Sequence, residues 1–237
     1  MENIAYLREW QKIFSGDGLA FEYYFWRDHW NDPGYYEMGK VLLEDIKKLK
    51  DIGLHGMHGN QTTRVYMPSG FPMYLMGQAL FDSSITFNDM VNYYFEKAFG
   101  EDWKQCLDYM AELSLLFNPV YIRDRVWLNP NSDAENKAAI ERFKKIAPLV
   151  EKFKPVIEKN LSCQIRTIAR SWQYLVFHAG LVIRLADALM VNAQGNLEQG
   201  RKLWEETMDY ASRGEDSVQD AFDLYTFALF KNKFEET

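Results

Sequence analysis

Cysteine is scarce in this chain, with only Cys106 and Cys163 among 237 residues. Two such residues supply neither a disulfide framework nor a cysteine-based metal spacing. Both lie in helical patterns and read as buried thiols, which fits a reducing, cytoplasmic setting. A basic block is missing as well. The 27 Lys and Arg are interspersed with 34 Asp and Glu for a net charge of −7, which speaks against a nucleic-acid partner. Apolar runs stay well short of the roughly 20 residues that span a bilayer, so no membrane partner is expected. The opening MENIAYLREWQK has neither the cationic start nor the apolar segment of a secretory signal. There is no nucleophile elbow, phosphate-binding glycine loop, zinc motif, internal repeat or low-complexity tract. Gly16-Asp-Gly18 is a turn without the rest of a dinucleotide fingerprint. No cofactor and no metal are expected.

Hydrophobic residues, by contrast, make up 47% of the chain, and aromatics are abundant, with 7 Trp, 14 Tyr and 16 Phe. That is enough to fill a sizeable core, with rings left over that could line a ligand cleft. Residues 3–14 carry Leu7, Trp10 and Phe14 at helical spacing and stop at Gly16. Residues 19–26 (LAFEYYFW) have the length and composition of a strand. Asp32-Pro33 reads as an N-cap followed by proline at the first helical position. Met38, Val41, Leu42, Asp45, Ile46, Leu49 and Ile52 then form a stripe of period 3.6 that ends at Gly53. A second strand is expected within residues 54–61 (LHGMHGNQ). Strand, helix and strand in this order predict a parallel pair joined by a helical crossover.

From about residue 71 the pattern turns helical. Phe71-Pro72 opens one helix, and Thr86-Phe-Asn-Asp89 resembles a capping box for another that ends at Gly100. Residues 102–117 form a third, closed by Asn118-Pro119, and a loop with Pro119, Trp127 and Pro130 follows. A charged helical stretch begins at Ser132, with Pro148 and Pro155 expected to start new segments or kink it. The strongest stripe runs from Ile165 to Met190, and two more helices are expected at about 196–212 and 216–231. The fold class read from this is mainly α, with a short β/α segment in residues 1–82 followed by an all-helical bundle in 83–237.

Glu22 and Asp28 are the candidate catalytic residues. Glu22 interrupts an apolar strand and shares parity with Ala20, Tyr24, Trp26 and Asp28. On a face directed into a barrel, two carboxylates beside aromatic walls could act as glycosidase acid and base. Glu22 paired with a buried cation, and Asp28 as a loop cap, is the plainer reading of the same residues. Trp26, His29, His58, Asn60 and Gln61 are the candidate substrate-binding residues, the first two toward the end of the first strand and the other three, with hydrogen-bonding side chains, where the second strand would end. His55 and His58 stand three apart, on opposite faces of a strand, which argues against joint metal ligation with Asp28. Arg64 and Tyr66 fit a substrate-side loop or an ordinary one. His178 reads as a satisfied core residue, and Glu205-Glu206 and Glu235-Glu236 as solvated surface.

LREWQKIFSGDGLAFEYYFWRDHWNDPGYY, EDIKKLKDIGLHGM, PMYLMGQALFD and DMVNYYFEKAFGEDW, in that order, resemble the carboxy-terminal half of bacterial proteins carrying the DUF4838 domain, a glycoside-hydrolase-like family. The resemblance spans about residues 5–120. It implies a TIM-like β/α barrel followed by a helical domain, with the strand–helix–strand unit here similar to the last two barrel units. It further implies carbohydrate as the ligand class and paired carboxylates as the chemistry. Relatives carry most of the barrel before this point. The chain is therefore expected to be a C-terminal fragment that is catalytically incomplete by itself. The alternative is a non-catalytic helical module for protein interaction, and in either case the exposed barrel remnant is expected to drive homo-oligomerisation.

Overall fold

The computed structural model describes residues 2–26, 28–61, 64–124 and 131–234. Helix α1 (Glu2–Trp10) is shorter than the 3–14 expectation, because Gln11–Ile13 unwind into a turn. Strand β1 covers only Leu19–Glu22, and β2 covers Gly56–Gly59. They pair in parallel with Leu19 opposite Gly56 and Glu22 opposite Gly59. The Asn60 amide donates to the Glu22 carbonyl at 2.7 Å and extends the ladder by one bond. The crossover is helix α2 (Tyr36–Lys48). The predicted parallel pair with a helical connection is present, but the described residues form a two-stranded sheet and no barrel.

The aromatic run 19–26 leaves the ladder after Glu22 for a packing reason. Phe25 is fully buried in the helical core, as is Trp30 on the 3₁₀ turn Asp28–Asn31. Their burial outweighs the few further ladder bonds that a longer strand would make. The shorter strand also fixes its faces. Ala20 packs on Leu49 and Leu54, beneath Leu7 of α1, so even-numbered positions of β1 face the helices. Leu19 and Phe21 on the other side are exposed.

The helices that follow are α3 (Phe71–Phe81), α4 (Phe87–Phe99), α5 (Trp103–Phe117) and α6 (Pro119–Asp124). Thr86 Oγ1 accepts from the Asp89 amide and caps α4 as its sequence indicated. Pro119 begins a helix where a loop was expected, since proline fits the first turn, where the missing N–H costs nothing. Trp127 and Pro130 lie outside the described residues, as does the Glu235-Glu236 pair. Helix α7 (Asp133–Phe143) has a full capping box from Ser132 and Glu135. Helix α8 (Ile146–Asn160) is the new segment expected at Pro148, which sits in its first turn, but it runs continuously through Pro155, where a further break or kink was expected. Its Ile146, Val150, Phe153 and Ile157 are buried, and that anchorage offsets the one backbone bond lost at Pro155.

The 28-residue helix α9 (Arg166–Ala193) is the axis of the core, and α10 (Leu197–Gly214) packs along its length. Among the described helices α9 alone is long and apolar enough to cross a membrane, and here most of it is buried in protein. Trp172 is fully buried on it, and its indole nitrogen donates to the Phe99 carbonyl at 3.0 Å. His178 is buried on it too, with Nε2 2.9 Å from the Pro33 carbonyl oxygen. The helix expected at 216–231 is broken instead. A 3₁₀ turn at Glu215–Ser217 is followed by α11 (Leu224–Ala228), because Asp223 caps the Thr226 amide and restarts the chain. Phe222, Phe227, Phe230 and Phe234 can then all turn inward around Trp204 and Trp30. Cys106 is buried, whereas Cys163 is half-buried in the loop between α8 and α9, where no helix face exists to cover it. One apolar cluster runs from Phe25 to Phe234 and includes residues on both sides of position 82.

Candidate functional site

The site begins with Asp32. The sequence reads it as an N-cap next to the first helical residue, yet α2 starts at Tyr36. Asp32 instead reaches forward: its Oδ2 accepts from the Met38 amide at 2.7 Å, while Oδ1 accepts from Ser114 Oγ on α5. Ser114 Oγ in turn accepts from the Tyr36 amide at 3.1 Å. Gly34 lies so close to α5 that a Cβ there would collide with the Met110 carbonyl and the Ser114 backbone. Tyr35 completes the reversal in the left-handed region at φ 58°. These contacts clamp the start of α2 to α5, with the end of β1 alongside.

Between them lies a cleft of about 660 Å³. One wall is the end of β1, with Glu22, Tyr23 and Tyr24, and a second is α2, with Met38, Val41 and Asp45. The third is the α5–α6 corner, with Leu115, Pro119, Val120 and Arg123. The corner is turned by Asn118 at φ 54°, whose Oδ1 accepts from the Tyr121 amide at 3.2 Å. The volume and mixed lining suit a small organic ligand.

The electrostatics of the cleft are acidic. Burial raises the Glu22 carboxyl above the usual carboxylate range, and the charge of Asp45 adds to the effect. Asp45 Oδ2 accepts from the Tyr24 hydroxyl at 2.6 Å, and desolvation followed by that carboxylate pushes the Tyr24 phenol up. Glu37 pairs with Lys40 at 2.6 Å. Complete burial lifts Asp32 to about 6, against the lowering pull of its Ser114 and Met38 hydrogen bonds. Glu22, whose proton burial helps to retain, has the character of a general acid, and the exposed Asp28 is a second carboxyl in the same cleft.

The sequence-derived candidates divide among four places. Glu22 and Asp28 line the same cleft. Glu22 nevertheless lies on the helix-facing side of β1 beside Asp45, the reverse of the barrel-interior orientation expected from parity. Its parity with Trp26 and Asp28 is broken because the strand ends at Glu22. Trp26 packs against Tyr23 with centroids 5.6 Å apart, His58 stacks on Phe21 at 5.1 Å, and Asn60 is exposed near by; all three lie toward the open side of the sheet. Gln61 turns toward α3, its Nε2 3.7 Å from Met76 Sδ. His29 is in the core, 4.3 Å from the Trp30 ring, with both ring nitrogens lacking a partner among the described residues. Desolvation lowers it to about 3, so it is neutral and shielded from any ligand in the cleft.

His55 pairs with Asp17 at the surface, and no cluster of three or more His, Cys, Asp or Glu among the described residues could hold a metal ion. Arg64 and Tyr66 tie their loop down, through Glu215 at 3.1 Å and the Tyr94 hydroxyl at 3.2 Å respectively. The sequence reading missed Asn31, Asp45 and Arg123 as lining residues. Asp45 had a signal: it is the one acid inside the apolar stripe of α2. Comparison of the chain with protein-family models, with curated proteins and with solved structures returns no match to any of them.

Proposed function

We propose that the chain is a carbohydrate-directed part of a glycoside-hydrolase-like protein, related to the DUF4838 group, with the cleft at the end of β1 as its sugar-facing site. The observation that carries the reading is that Glu22 and Asp28 line one cleft beside Tyr23 and Tyr24 at the C-terminal end of a parallel strand. Glycoside cleavage needs one carboxyl that keeps its proton and one that does not, and aromatic faces to stack on sugar rings. Burial of Glu22 favours it as the acid, and Asp28 is the second carboxyl in the same cleft. A panel of aryl glycosides tests the reading. An incomplete barrel leaves at most residual hydrolysis, and that residual turnover of at least one substrate is expected to fall about 100-fold or more in Glu22→Gln. A panel with no turnover at any pH would remove the catalytic assignment.

A second reading has its own support. Leu19, Phe21, Tyr23 and Trp26 are exposed on or near the open side of a sheet of only two described strands. Parallel strands are ordinarily covered on both faces, so this surface favours a partner chain, with a second copy as the first choice. Light scattering after size exclusion is expected to give a dimer or larger assembly that Phe21→Glu reverts to monomer. A wild-type chain that stays monomeric at high concentration would end this reading.

A further inference from the structure

The cleft holds more negative charge than its framework uses. Glu37 has Lys40, and Asp32 is consumed by Ser114 and Met38. Among the described residues no ion pair engages Glu22, Asp28 or Asp45; Asp45 receives the neutral Tyr24 hydroxyl and acts on Lys48 only from beyond ion-pair distance. Arg123 is the only cation among the described lining residues. A cleft of this size, with Asp28 and Asp45 outside any described ion pair, carries a negative potential, focused by the apolar surfaces of Val41, Leu115 and Val120. The carboxylates are too dispersed to share a metal ion. An extended organic cation can meet them one at a time.

An independent feature points to a ligand. Asn31 is only 7% exposed, yet it lines the cleft, and its carboxamide makes no hydrogen bond within the described chain. A buried amide that lacks a protein partner and borders an open cleft is set to bond what enters it. Asn31 offers both a donor and an acceptor. Hydroxyls of a polyol ligand match both.

We propose that the cleft selects an amino sugar, its protonated amine facing Asp45 and Asp28 and its hydroxyls meeting Asn31. The proposal rests on the carbohydrate reading above and narrows it from sugars in general to those that carry a free ammonium. N-acetylation of the amine would remove the charge and with it the preference.

Isothermal titration of the intact chain with glucosamine, glucose, N-acetylglucosamine and cyclohexylamine tests both layers. Glucosamine is expected to bind at least tenfold more tightly than glucose or N-acetylglucosamine at low salt. The advantage should shrink as ionic strength rises from about 10 mM to about 150 mM. Asp45→Asn keeps an acceptor for Tyr24 and is expected to cut glucosamine affinity about fivefold to tenfold. Asp28→Asn, at an exposed position, should cut it in the same direction. Asn31→Ala should weaken glucosamine but not cyclohexylamine. Equal binding of glucose and glucosamine, insensitive to salt and to both acid variants, overturns the cation preference and leaves the sugar reading intact. Cyclohexylamine binding as tightly as glucosamine, with glucose not bound, keeps the cation preference and overturns the sugar. No binding by any of the four overturns the proposal.

Discussion

Asp32→Ala is expected to lower the stability of the fold by about 3 kcal/mol, measured as a shift in the urea midpoint at constant slope. The carboxylate accepts from the half-buried Met38 amide at the third position of α2 and from the fully buried Ser114 Oγ on α5. Alanine leaves an N-terminal helix amide and a buried hydroxyl without their acceptor. Loss of a cap and of a buried hydrogen-bond partner each cost on the order of 1–2 kcal/mol. Gly34, two residues on, fits against α5 only at this spacing, so the clamp has little room to readjust. Asp32→Asn retains one carbonyl acceptor and is expected to cost less, about 1 kcal/mol. An Asp32→Ala protein with a wild-type midpoint would show that the clamp contributes nothing.

Mild acid is expected to destabilise the protein by about 3 kcal/mol between pH 6.5 and pH 4.5. Two buried histidines set the sign. Burial lowers His29 to about 3 and His178 to about 4, the latter despite its contact with the Pro33 carbonyl. An exposed histidine in the unfolded chain titrates near 6.5. Across this window the unfolded chain binds more protons than the folded one, so stability is present above pH 6.5 and lost as the pH falls. Asp32 acts in the opposite sense. Its folded value of about 6 lies above the unfolded 3.8, so its contribution is fully present at low pH and lost as the pH rises through 6. Two histidines against one aspartate leave about one net proton, or about 1.4 kcal/mol per pH unit. Asp32→Asn removes the compensation. The acid limb should then steepen to about 5 kcal/mol over the same window. Denaturant titrations at several pH values read both slopes, and identical slopes for the two proteins would contradict the assignment.

Much of the architecture could be read from the chain. The stripe through Met38, Leu42, Ile46 and Leu49 identified the crossover helix, and the capping signature at Thr86–Asp89 marked the start of α4. The stripe from Ile165 to Met190 identified the central helix. These features are local, and their physics repeats within a few residues. Glu22 and Asp28, which line the cleft, stand out in the chain for a related reason, as acids placed among aromatics. The orientation of Glu22 was not legible. Parity counts only while the strand lasts, and β1 ends at Glu22 because Phe25 and Trp30 are drawn into a core built largely by residues more than a hundred positions away.

The remaining errors have the same origin. His29 reads in the sequence as one of the residues at the end of the first strand, yet a 3₁₀ turn leaves Asp28 outward and sends His29 into the core. Pro155 looked like a break, yet packing of Ile146, Val150, Phe153 and Ile157 carries α8 through it. Composition, periodicity and capping chemistry alone thus determine a mainly helical chain with one parallel strand–helix–strand unit near its start, because each depends on neighbours in sequence. Only the tertiary structure decides that Glu22, Asp28 and Asp45 share a cleft with Asn31. That depends on where α5 meets the start of α2, a contact held by Asp32 and Ser114 across 82 residues of chain.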